Sequence, residues 1–147
     1  GSPTWQEKSI NLPLRTNADR KHRTIIDPQQ GKPAHTDLSL LEDFNGCALV
    51  AAHPHTGRTH QIRAHLAAAG HPILMDPLYF AKPAGQTPAG NTPTARLKEF
   101  PHDLITRLAL HALEISFTHP TSGQDMRFSA PYADDFYSAL AYLRQNS

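Results

Sequence analysis

Arg58, His60, Gln61 and Arg63 fall within one short stretch, GRTHQIR, over residues 57–63. Together they offer two permanent positive charges, an imidazole and an amide, which is the equipment for holding a phosphate or a carboxylate. The surrounding pattern places them. Cys47-Ala48-Leu49-Val50-Ala51-Ala52 is an apolar run that reads as a short buried strand. His53-Pro54-His55-Thr56-Gly57 is a turn. Thr59 to Ala69 has helical spacing, with Ile62, Leu66 and Ala69 on one face. Thr56 and Thr59 can offer hydroxyls to the helix start, and Gly70 suits its end. The basic group therefore sits at the positive end of a helix, where backbone amides are free. Stability alone disfavours two guanidiniums there, whereas an oxyanion site favours them. The alternative is the solvated basic face of an ordinary amphipathic helix.

The other elements must hold this helix in place. Ile10 to Leu14 alternates, but Pro13 makes it an edge strand or extended arm. Arg15, Arg20, Lys21 and Arg23 occupy a polar loop, either simply solvated or in contact with phosphate. A brief strand at Thr24–Ile26 is followed by a turn at Asp27–Gly31. Lys32 to Phe44 reads as a longer strand, with Leu38, Leu40 and Phe44 on one face. Asn45-Gly46 then predicts a hairpin pairing residues 37–41 with 48–52. Pro72–Leu74 reads as a return strand. Residues 81–101 are rich in Pro, Gly and Thr and read as a mobile loop. Arg107–His119 and Gln124–Ala130 form a second hairpin. Ala133–Arg144 is a closing helix with Phe136, Leu140 and Leu143 as its stripe, and Asp134 and Asp135 at its positive end. The fold class is α+β: a mostly antiparallel mixed sheet, a helix near the site over about 59–69, and a C-terminal helix over about 133–144.

Composition sets the limits. The 147 residues suffice for one domain with a core. Fourteen Lys and Arg against thirteen Asp and Glu leave a net charge of +1, so any nucleic-acid surface must be a local patch. Cys47 is the only cysteine, which excludes an internal disulfide and points to a reducing, cytoplasmic setting. No apolar run approaches the ~20 residues of a membrane helix, and no membrane partner is expected.

Gly57-Arg58-Thr59-His60-Gln61-Ile62-Arg63-Ala64-His65-Leu66, then Gly70-His71-Pro72-Ile73 and Asp76-Pro77-Leu78-Tyr79, closely resembles a signature of the RluA-type RNA pseudouridine synthases. That signature runs GRTHQIR-x-HL, then GHPI-x-GD-x-x-Y. Met75 departs from it where the family usually has Gly, and Phe80 where it often has Gly. Gly31-Lys32-Pro33-Ala34-His35-Thr36 resembles the family's GK-x-A-x-T, and the 107–130 region its LHA, HP and F-x-AP pattern. The resemblance runs from about Trp5 to the end of the chain.

The resemblance implies isomerisation of uridine to pseudouridine in rRNA or tRNA, without metal or cofactor. The family's nucleophile is an Asp in an HRLD motif, with a Tyr from a K-x-Y-x-A motif beside it and an Arg pairing with the Asp. Arg63 matches that Arg, and Ile62 would be an apolar wall. No Asp here follows Arg-Leu, and K-x-Y-x-A is absent. Residues 1–147 are thus expected to be a single partial domain, the C-terminal part of a catalytic domain, inactive alone. Arg63 is expected to lack its partner, and a sheet edge left open would invite self-association. Flanking RNA phosphates would meet Arg58, His60, Gln61, Lys32 and Arg20.

Two other readings compete. One is a non-catalytic RNA-binding or partner-binding module that keeps this surface. The other is a metal site among His53, His55, His60, His65 and His71. His60 and His65 are five apart and do not share a helix face. His53 and His55 could ligate from a strand, but no Cys or HExxH pattern helps them. No metal is expected. Asp76 reads as turn chemistry rather than as a substitute nucleophile, and His65 and His111 as packing residues.

Overall fold

A computed structural model describes residues 1–80, 100–101 and 103–147. Its elements are β1 (Glu7–Asn11), β2 (Leu14–Arg15), β3 (Ile25–Ile26), β4 (His35–Asp43), β5 (Ala48–Pro54), α1 (Gln61–Ala68), β6 (Glu114–Thr118), β7 (Asp125–Ser129) and α2 (Asp134–Gln145). All strand pairs are antiparallel, in one three-stranded sheet ordered β1-β4-β5 and two ribbons, β2-β3 and β6-β7. This is the α+β class that the pattern predicts.

The β4–β5 hairpin turns at Asn45-Gly46, both with positive φ. Its register matches Asp37 with His53 and Leu38 with Ala52, and shifts between Leu40 and Glu42. Leu41 is the extra residue of that bulge and stands half-exposed. Alternation along β4 sends Thr36 and Leu38 inward, where both are buried. Ile10, Leu66 and Ile73 join Leu38 in one core cluster, with Ile62 packed against it, so α1 lies on the inner face of the sheet. Gly70 ends the helix region at φ 84°, as expected of a left-handed stop.

A second cluster joins Leu14, Ala34 and Ala64, with Ile26 and Tyr79 against it. Gly31 makes it possible. A Cβ there would lie 2.4 Å from the Asp27 carbonyl oxygen and 2.8 Å from the Leu14 nitrogen. A third cluster of Phe100, Ile105 and Ala139 seats α2, with Phe136 and Leu143 around it.

Two expectations change. The predicted strand over 107–119 is regular only from Glu114 to Thr118. Before that, Leu110 N–H bonds back to Leu108 O, and Arg107 is drawn onto Asp135 by two 2.7 Å bonds, so the chain bends instead of extending. Pro72–Leu74 is not a strand. Its one ladder-like bond runs from Ala109 N–H to Leu74 O, and Met75 then turns left-handed at φ 58°. Of the loop expected over 81–101, residues 81–99 lie outside the described residues, while Phe100 is buried in the third cluster.

Candidate functional site

The hairpin, the turn after β5 and α1 converge on Gln61. This amide is 4% exposed. Its Oε1 accepts from the Arg58 amide at 3.0 Å and the Thr56 hydroxyl at 2.7 Å. Its Nε2 donates to His35 O and Thr36 Oγ1, both at 2.9 Å. The carbonyl and the amide N–H that it meets fix which end is which. All its bonding capacity is spent inside the fold, so Gln61 is a clamp between β4 and the helix entry. That corrects its assignment as an RNA contact. The capping expectation also changes. Thr56 serves Gln61 and the His35 amide, and His60, at the cap position with φ 53°, makes no side-chain cap. With no acid in the first turn, the positive end of α1 is not neutralised by its own side chains.

His65 is fully buried one turn on. Its Nε2 meets the Leu12 carbonyl at 3.0 Å, which can only accept, so Nε2 carries the proton. Nδ1 then accepts from the Thr36 hydroxyl at 2.9 Å. Burial holds its pKa below the ordinary imidazole value. It is the packing residue the sequence suggests.

Arg63 has a partner, contrary to expectation. Its Nε donates to Asp76 Oδ2 at 2.9 Å and its Nη2 to Oδ1 at 2.8 Å. The Asp76 side chain is fully buried and that of Arg63 13% exposed. Asp76 Oδ1 also takes the amides of Leu78 and Tyr79 at 2.9 and 3.1 Å. Burial pushes the Asp76 carboxyl up, but Arg63 and these amides outweigh it and leave it below the usual value. Asp76 is therefore both turn cap and counter-ion, and its oxygens are too enclosed to attack anything. The Tyr79 ring lies under the guanidinium, 5.0 Å from Cζ to centroid. The Tyr79 hydroxyl is pinned in turn, donating to Thr24 O at 3.0 Å and accepting from Thr24 N–H at 2.9 Å. His60 stands edge-on to Tyr79, and burial together with Arg63 lowers its pKa, so it adds an imidazole rather than a charge.

Asp76 occupies one edge of the Arg63 fork. A guanidinium has five N–H donors, and this pair uses two. The Nη1/Nη2 edge can meet a second oxyanion without releasing the first. Thr24 and Tyr79 escaped the sequence reading as site residues. The Tyr in D-x-x-Y was the available signal, but its support on Thr24 comes from far along the chain.

The remaining residues spread out. Arg58 donates from Nε to Pro33 O at 3.0 Å, beside the same turn. Ile62 packs on the core, half-buried, next to Arg63. Lys32 and Arg20 are exposed, and among the described residues no hydrogen bond or ion pair ties them to the Arg63 group. Within the polar loop, Arg15 and Arg23 are paired with Asp27 and Asp19.

Comparison with known proteins agrees with this layout. Residues 3–68 match the family model described as RNA pseudouridylate synthase. The ribosomal large subunit pseudouridine synthase D of Neisseria meningitidis is 44% identical over 114 residues, covering 78% of this chain and 29% of the relative. Synthase C of Yersinia pestis is 36% identical over 146 residues, covering 97% of this chain and 42% of the relative. Among solved structures, human RNA pseudouridylate synthase domain containing 1 aligns with a TM-score of 0.63 at 28% identity, over 90% of this chain and 51% of that one. Human RNA pseudouridylate synthase domain containing 4 shares the fold, with a TM-score of 0.66 over 95% of this chain and 57% of that one, at 19% identity. Sheet, helix and basic turn together define a pseudouridine synthase fold. Within that class, the chain belongs to the RluA-type RNA pseudouridine synthase family. It spans less than half the length of these curated relatives.

Proposed function

We propose that this chain supplies the arginine side of a uridine-to-pseudouridine isomerase site acting on structured RNA. The relatives' names make large-subunit rRNA the first substrate class to try, and the family resemblance leaves tRNA as the second. The observation that carries the reading is the half-used Arg63 fork, held by Asp76 on one edge and stacked on Tyr79. A carboxylate nucleophile near RNA phosphates needs a cation that keeps it ionised and aimed. The free edge of Arg63 suits that task, with Ile62 as an apolar neighbour to the base. The target uridine must leave its stack to reach such a site. Arg58 and the turn at Gly57 would then meet flanking phosphates, with Lys32 and Arg20 as outlying contacts and His60 as a neutral partner. Among the described residues a Cβ on Gly57 would meet nothing within 4 Å, which leaves its backbone open to a ligand.

The nucleophile itself comes from outside these 147 residues, because the chain has no HRLD motif. On this reading the chain alone is inactive, is the C-terminal part of a catalytic domain, and works in the cytoplasm. Its outer sheet edges could also pair with a second copy. The test fuses an N-terminal segment carrying the HRLD and K-x-Y-x-A motifs and follows tritium release from RNA labelled at uridine C5. Release that depends on both the added Asp and Arg63 is expected. A folded fusion that releases nothing would overturn the proposal. The second reading, a non-catalytic RNA-binding module, draws on the un-neutralised start of α1. Salt-dependent RNA binding by a fusion that stays inactive would favour it.

A further inference from the structure

The outer face of the three-stranded sheet carries a group that the synthase reading does not use. His35 and Asp37 are two apart on β4 and so project from the same face. That is the face opposite Thr36 and Leu38, away from α1. Asp37 pairs in register with His53 across β5, and the His55 amide bonds to His35 O at 3.0 Å just beyond the last strand pair. The His35 and His55 rings stack at 4.3 Å with planes 17° apart, and His53 stands edge-on to His55 at 4.9 Å. Asp37 receives His35 Nε2 on Oδ1 at 3.1 Å and His55 Nε2 on Oδ2 at 2.6 Å. Ser9 Oγ lies 2.8 Å from His35 Nε2, from the neighbouring strand β1.

One ligand atom each from His35, Asp37 and His55 falls within 4.8 Å of the other two. All three side chains are between one-third and one-half exposed. We propose that His35, Asp37 and His55 form a binding site for a zinc-class divalent transition-metal ion. Two imidazole nitrogens and one carboxylate oxygen are a donor set suited to such ions, and water can complete the coordination. The donors already converge. The protons in the two His–Asp hydrogen bonds occupy the space the ion would take, and binding displaces them. Along the sequence, His53 and His55 have no third donor near them; the preceding strand brings it. Hard ions that prefer oxygen-only shells, such as magnesium, fit this set poorly.

The ion would bridge β4 to the turn that leads from β5 into α1. It would therefore stiffen the entry to the Arg63 helix from the face opposite the core. This site stands whether or not the synthase reading holds, since it shares no ligand with the Arg63 group.

Calorimetric titration of the 147-residue chain with zinc chloride, after removal of any purification tag and treatment with chelator, tests the proposal. A single saturable site is expected, with a melting temperature that rises with zinc and is unmoved by magnesium. His55→Ala and Asp37→Asn should each weaken zinc binding at least about tenfold, since even indirect partners of metal ligands cost that much. His22→Asn, on the loop between β2 and β3, should leave it unchanged. Circular dichroism confirms that each variant is folded. No saturable binding up to about 0.1 mM free zinc, or binding unaffected by either ligand substitution, would overturn the proposal.

Discussion

Arg63 and Asp76 carry the largest electrostatic commitment near the site. The pair is bidentate and nearly dry, and removing one member leaves the other buried without its counter-charge. Asp76→Asn preserves shape but removes the anion and one acceptor edge. It should lower stability by about 3 kcal/mol, read as a shift in urea midpoint. A loss below about 0.5 kcal/mol would mean that the pair is solvated after all. Two imidazoles, His65 buried and His71 half-buried, predict a second effect. Burial depresses the pKa of His65 and of His71 in the folded chain below the ordinary 6.5. The unfolded chain then binds more protons as pH falls through that value, so the stabilisation is complete above about pH 6.5 and declines below it. Urea midpoints should fall between pH 7 and pH 5, before the carboxylates titrate. His65→Gln should flatten that fall, and an equally steep fall in the variant would exclude His65 as a source.

At the scale of elements, the turn from β5 into α1 is built for presentation. Gln61 fastens it from inside, while Gly57 has open space where a side chain would go. Gly57→Ala should therefore leave stability unchanged or raise it by a few tenths of a kcal/mol. If RNA backbone approaches there, the same change should weaken RNA binding, measured by salt-controlled titration. Unchanged affinity would remove Gly57 from the interface. Much of this region is legible in the sequence because its signals are local: the apolar run, Asn45-Gly46, the helix period and Gly70. The bidentate pair is not. It links residues thirteen apart through a left-handed turn at Met75, a position where glycine is at ease and methionine is not. The sequence shows Met75 only as a departure from the family pattern; the backbone explains why glycine is usual there. The late start of the expected strand, at Glu114, is equally hidden, because Arg107 finds Asp135 only once α2 is in place.

For the whole molecule, the three core clusters tie β1, β4, α1, the 72–79 turn and α2 together, whereas the β6-β7 ribbon leaves Ile115, Phe117 and Phe128 exposed. Family and fold class were both legible, because an ordered motif and strand alternation survive without tertiary context. The function of the Arg63 fork was legible only in part. The HRLD motif of the family pattern does not occur in the sequence, and the pairing of Arg63 with Asp76 is visible only in three dimensions. The most direct measurement is tritium release from uridine-5-³H-labelled RNA by the folded 147-residue chain alone. No release above background is expected, since among the described residues the one carboxylate bonded to Arg63 is that of Asp76, which is enclosed. Release above background would contradict this and show that a carboxylate within this chain performs the chemistry.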